Sequence, residues 1–185
     1  LDDSGIIKLY WERSEDAIQA TDAKYGKLCR YIAGNILNNS QDTEECVNDT
    51  YHAVWNAIPS KRPSVFSAFI GKIARNHALK KLEYISAAKR NPDAVTSLSE
   101  LEECVSGRDS VESELETKRI ERALTEFLWN QDRDKRIIFV RRYWHFESIT
   151  TISKMFGYSE SKVTSMLHQT RQKLRTYLES EGIEI

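Results

Sequence analysis

Cysteine is scarce in this sequence and poorly spaced for chemistry. Cys29, Cys46 and Cys104 are odd in number and far apart, with no CxxC or Cys/His zinc spacing. That pattern offers neither a structural zinc site nor a disulfide framework, so free thiols are expected. Glycine and proline are also few, at seven and three residues, and no glycine-rich loop is present to cradle a phosphate. The four histidines, His52, His77, His145 and His168, are scattered. With no Ser/His/Asp, metal or phosphate-loop constellation, the chain is not expected to be an enzyme or to carry a metal or cofactor. No signal peptide is evident and no apolar run could span a membrane, so a cytoplasmic protein is expected. The net charge of −1 argues against a simple nucleic-acid coat protein.

What is present is helical periodicity. Most apolar residues recur at three- and four-residue spacing, which predicts an all-α protein. A weakly amphipathic helix is predicted over 6–18 and a second over 22–37. A third starts at Asp42, where Asp42 and Glu45 make a capping-box pattern; its stripe is Cys46, Val47, Tyr51, Val54, Trp55 and Ile58. Pro59 to Pro63 is a loop, since two prolines this close do not sit inside a helix. Ser64 is a candidate cap for a fourth helix reaching about Ser86. Further helices are predicted over about 118–130, 133–145, 148–156 and 159–180.

The small net charge hides a division along the chain. From Lys61 to Arg90 eight Lys and Arg stand against Glu83 alone, net +7, and from Asp93 to Glu116 eight Asp and Glu stand against Arg108, net −7. Opposite blocks suggest separate tasks. The expected organisation is two small helical domains, 1–90 and 118–185, joined by a flexible acidic linker over 91–117.

Two segments point to DNA. In the first, Ile149, Ile152, Met155 and Phe156 are predicted to be buried on a short helix that Gly157 ends and Ser159 restarts. The following helix buries Val163, Met166, Leu167, Thr170, Leu174, Tyr177 and Leu178. This is the outline of a helix-turn-helix, whose second helix enters the major groove. Ser159, Ser161, Thr164, Ser165 and His168 supply polar contacts. Lys162 suits guanine or phosphate, Gln169 suits adenine, and Arg171, Lys173 and Arg175 suit phosphates. A solvated helical pair would carry a similar pattern. In the second segment, the fourth helix and the loop before it offer Lys61, Arg62, Lys72, Arg75, Lys80, Lys81, Lys89 and Arg90. That face of one sign matches a phosphate backbone, and Asn76 in its midst suits a base edge. The third helix carries an opposite, acidic-polar face with Glu45, Asn48, Asp49, His52 and Asn56, which on its own reads as solvated surface.

Three segments in this order resemble the small extracytoplasmic-function sigma factors of bacterial RNA polymerase, over nearly the whole chain. They are Asp42-Thr43-Glu44-Glu45-Cys46-Val47-Asn48-Asp49-Thr50-Tyr51-His52-Ala53-Val54-Trp55, then Phe69-Ile70-Gly71-Lys72-Ile73-Ala74-Arg75-Asn76, then the helix-turn-helix. The resemblance implies sigma region two in 1–90 and region four in 118–185. Asp42, Glu45, Asn48 and Asp49 would contact the clamp helices of the polymerase largest subunit. Lys72, Arg75, Asn76 and Lys80, with the loop 59–65, would take the melted minus-ten element. Region four would read the minus-thirty-five element and touch the polymerase flap, and an anti-sigma factor is a common further partner of the family. Phe69 stands where the family carries Trp, and Thr164, Met166 and Gln169 where it carries basic residues, so this recognition helix is less basic than its relatives. The alternatives are a stand-alone helix-turn-helix regulator and a pure interaction protein.

Overall fold

A computed structural model describes the backbone of residues 1–85, 90–105 and 114–183, and their side chains except at 103–105 and 114–117. Lys89, Cys104, Arg108 and the acidic residues of 103–116 therefore lie outside the described side chains. Among the described residues every regular element is a helix: α1 (Asp3–Trp11), α2 (Asp16–Leu37), α3 (Ser40–Ala57), α4 (Phe66–Tyr84), α5 (Pro92–Val105), α6 (Glu114–Trp129), α7 (Arg133–Tyr143), α8 (Ile149–Phe156) and α9 (Glu160–Ser180). They fall into two compact units, Leu1–Ala94 and Val95–Ile185.

In the first unit α2, α3 and α4 pack on one another and α1 lies on α2. The core is Ile6, Tyr10, Cys29, Val47, Val54, Ile58, Phe66, Ile70 and Ala74. Buried side chains of this size each contribute about 1.5–3 kcal/mol. Cys29 and Cys46 are free and buried, and burial pushes their thiols up to about 11 and about 12, which leaves them unreactive.

Three boundaries differ from the sequence reading. The helix expected over 6–18 is split, because Glu12, Arg13 and Ser14 offer nothing apolar and Arg13 turns to a φ of 56°. That left-handed turn is held by the Arg13 guanidinium, which donates to the Trp55 carbonyl at 2.7 Å. The third helix starts two residues early. Asn39 is its N-cap, accepting from the Asp42 backbone N–H at 2.9 Å, so the Asp42 carboxylate is not the cap and is available elsewhere. Ser64 does not cap the fourth helix, which starts at Phe66 after Val65 without a side-chain cap and ends at Tyr84.

In the second unit α6, α7, α8 and α9 enclose Ala123, Phe127, Ile138, Phe139, Ile152, Val163, Leu167, Leu174 and Leu178. Met155, expected inside, is 50% exposed, since Ile152 and Ser153 carry the buried stripe of the short α8. The stretch expected as a flexible linker starts as a helix, α5. Pro92 occupies its first turn, where a missing N–H costs nothing, and Leu101 packs against the core of the second unit.

Candidate nucleic-acid interface

In the first unit, α4 aligns Lys72, Asn76 and Lys80, all exposed. Their four-residue spacing makes one stripe along the helix. Arg75 leaves that stripe. It is partly buried, and burial holds its pKa below the ordinary guanidinium value. Lys61 and Arg62 are exposed in the preceding loop, with the Arg62 guanidinium 5.4 Å from the centre of the Trp11 ring.

The acidic face of α3 divides in two. Lys81, on α4, donates to Asp42 at 3.1 Å and to Glu45 at 2.6 Å. Burial opposes the Lys81 charge, yet its bonds to Glu45 and Asp42 hold its pKa above the ordinary value. Two of the four expected polymerase contacts are therefore engaged within the unit. Asn48 and Asp49 stand exposed one turn further along. The helix is anchored behind this face. Tyr51 donates to Asp22 at 2.7 Å, and Arg30 bridges Asp22 at 3.0 Å and Glu44 at 2.9 Å.

In the second unit the turn between α8 and α9 is built as its residues require. Ser148 caps α8 by accepting from the Thr151 N–H at 3.1 Å. Gly157 ends it at a φ of 66°, a backbone conformation that glycine adopts without a Cβ penalty. Ser159 caps α9 by accepting from the Lys162 N–H at 3.2 Å. Thr150 donates to the Glu160 carboxylate at 2.7 Å, tying the two helices together at the turn.

On α9, Ser161, Lys162, Thr164, Ser165, His168, Gln169, Lys173 and Arg175 are all exposed. Within that face, Lys162 lies 3.4 Å from the centre of the Tyr158 ring, and Arg175 pairs with Glu179 at 3.2 Å. The Ser159 hydroxyl is engaged in its cap. Arg171 is placed differently: only 11% of its side chain is exposed, and it donates to Glu100 at 3.2 Å. It also donates to the Tyr143 hydroxyl at 2.5 Å. The same Glu100 accepts from Tyr143 at 2.7 Å and from the buried Arg142 at 3.3 Å. Burial pushes the Tyr143 hydroxyl up, and the bond to Glu100 adds to the shift. Sequence reasoning missed Glu100, Arg142 and Tyr143 because Glu100 sits in an acidic tract that reads as solvated.

Among the described residues no group of His, Cys, Asp and Glu could hold a metal ion, and no helix is long and apolar enough to cross a membrane.

A family model described as sigma-70 region 2 matches residues 22–88, the span holding α3, α4 and the loop between them. No curated protein matches the chain. The solved structure of CnrH in complex with the cytosolic domain of CnrY aligns over 95% of this chain and 96% of that one. Its sequence identity is 18% and the TM-score is 0.42, a likeness too distant to bear on function.

Proposed function

We propose that this chain is a sigma factor of the extracytoplasmic-function type, a non-enzymatic protein that directs RNA polymerase to specific promoters and initiates transcription; the match of residues 22–88 to the sigma-70 region 2 model supports this reading. The observation that carries the reading is the pairing of two unlike faces inside the matched segment. Asn48 and Asp49 stand exposed on α3, with Glu45 and Asp42 beside them, and Lys72, Asn76 and Lys80 line α4.

An acidic-polar face fits a protein partner, here the polymerase clamp helices. A basic stripe fits a nucleic-acid backbone, here the melted minus-ten element. Asn76 adds a group able to read a base edge. Loop 59–65, with Lys61 and Arg62, borders this surface in the reading. Unpaired bases give binding energy only once they leave the stack, so affinity for the open strand drives melting.

The second unit takes the role of region four. The exposed face of α9, from Ser161 to Arg175, enters the major groove at the minus-thirty-five element, and the unit also touches the polymerase flap. Two weak grips on one promoter reinforce each other through the chain that joins them. An anti-sigma factor is the third partner in this reading.

The direct test is capture of core polymerase by the tagged full-length chain. Stoichiometric retention of core at micromolar concentration is expected. A chain that binds duplex promoter DNA tightly but retains no core would instead be a stand-alone regulator.

A further inference from the structure

Arg171 is set apart from the other cations of α9. It lies seven residues after Thr164, three after His168 and four before Arg175, so it belongs to one flank of the exposed face, and those three neighbours are exposed. Arg171 itself is 11% exposed, because α5 lies across it. Glu100 of α5 accepts from Arg171 at 3.2 Å, from Arg142 at 3.3 Å and from the Tyr143 hydroxyl at 2.7 Å. Arg171 also donates to the Tyr143 oxygen at 2.5 Å. Arg142 and Tyr143 are buried at the end of α7. α5 is seated here by buried Ser97 and by Leu101, which packs against the core of the unit. Glu102, two residues after Glu100, is exposed, and the tract from Asp93 to Glu116 holds eight acidic residues against Arg108.

Two guanidinium groups and a phenol converging on one two-oxygen anion are the donor set that recognises a phosphodiester. Stability alone does not call for them, since well-packed apolar side chains of similar volume serve a buried site as well or better. We propose that Arg142, Tyr143 and Arg171 form a binding site for a backbone phosphate of duplex DNA, and that Glu100 is an internal occupant that holds the site closed. A phosphate arriving along the flank of α9 competes with Glu100 for Arg171, and Arg142 and the Tyr143 hydroxyl follow as donors. The acidic surface of α5 repels the same phosphate, so docked α5 and bound DNA oppose each other. The opposition is reciprocal: whatever lifts α5 from α9 tightens DNA binding, and DNA loosens α5 by the same factor. The proposal rests on the reading of α9 as the face for duplex DNA. It adds to that face two donors from α7 and a helix that regulates access to them.

The test uses the full-length chain, alone and assembled with core polymerase, at low salt, with a labelled mixed-sequence DNA duplex as the probe. Glu100→Gln keeps the shape of the side chain and removes its charge. It should tighten duplex binding by about fivefold to tenfold and steepen the slope of log affinity against log salt by about 0.9 for the phosphate gained. Glu102→Gln makes the same charge change at an exposed position and should alter affinity by less than about twofold. Adding Arg171→Gln to Glu100→Gln should abolish the gain. In the wild-type chain the α5 amides should be protected from hydrogen exchange without DNA and lose protection at saturating duplex. That measurement decides the matter should Glu100→Gln fail to fold, which circular dichroism checks. A folded Glu100→Gln chain with unchanged or weaker duplex affinity overturns the proposal. So does an equal gain in Glu102→Gln, a gain that survives Arg171→Gln, or α5 protection that stays or rises with duplex bound. Absence of duplex binding by wild type and Glu100→Gln in both forms overturns it too. Lys173→Ala and capture of core are measured in parallel. Weaker duplex binding in Lys173→Ala with none of the Glu100→Gln effects sinks only the closed phosphate site, whereas no effect in either variant sinks the α9 reading with it. Failure to capture core sinks the sigma-factor reading and leaves the site standing.

Discussion

Arg171 of α9 and Glu100 of α5 lie 3.2 Å apart, so a cation read as a phosphate anchor is neutralised inside its own unit. The same carboxylate accepts from Arg142, whose side chain is 2% exposed, and from the Tyr143 hydroxyl. One acid on α5 thereby serves two cations that the fold has taken out of water. Removing one partner of a buried pair leaves the other charge uncompensated, which is costly. Glu100→Gln is expected to destabilise the second unit by about 2–3 kcal/mol. Urea unfolding should show this as a lower midpoint in the transition of that unit, with its slope unchanged. A shift under about 0.5 kcal/mol, the scale of an ordinary surface change, would show that the contact is incidental.

The acidic face of α3 yields a graded expectation. Asn48 and Asp49 are exposed, whereas Asp42 and Glu45 already hold Lys81. Asp49→Lys should weaken core polymerase binding by about tenfold, in the range of interfacial charge reversals, without lowering thermal stability. Glu45→Ala should weaken it less and also loosen α3 from α4. Surface plasmon resonance on immobilised core, with melting curves alongside, separates the two effects. Equal losses from both variants would contradict the division of the face.

Lys72 and Lys80 belong to one exposed stripe of α4. Each phosphate contact on a single strand contributes about 0.7 to the slope of log affinity against log salt. The double variant Lys72→Ala/Lys80→Ala should therefore flatten that slope by roughly 1.4 for open-promoter binding by the assembled polymerase. Asn76→Ala should leave the slope unchanged and alter sequence preference instead. A salt titration of promoter binding distinguishes them; an unchanged slope in the double lysine variant would remove the stripe from the interface.

Acid stability should depend on Asp22. Its bond from Tyr51 and then its pairing with Arg30 hold its carboxyl below the ordinary value of 3.8. A depressed folded-state pKa means that the unfolded chain takes up the proton first. The associated stability is complete above the ordinary value and fades as pH falls through the lower, folded value. Asp22→Asn should lower stability at neutral pH and reduce its further loss as pH falls below about 4. Equilibrium unfolding measured across that range checks the sign, and an unaltered acid limb would contradict it.

Much of the second unit is legible in the sequence because its signals are local. Gly157 and Ser159 stand where a turn needs a left-handed residue and then a cap, and the apolar spacing of α9 runs without interruption. The misreadings have tertiary causes. The break between α1 and α2 depends on Arg13 reaching Trp55, 42 residues away. Asn39 and Asp42 are both sound caps by type, and Lys81 on another helix engages the one left over. Arg75 falls among basic neighbours in sequence, yet the packing of α4 turns it partly inward. In α5 the acidity masked Ala94, Leu98 and Leu101, whose three- and four-residue spacing is that of a helix.

Run-off transcription by core polymerase, with and without this chain, decides whether the chain directs initiation. On a library of promoter fragments from the same genome, discrete transcripts should appear only when the chain is present. Their upstream sequences should share two short motifs about two helical turns apart. Transcripts that do not depend on the chain, or none at all although core is bound, would contradict the proposed role of a promoter-directing sigma factor.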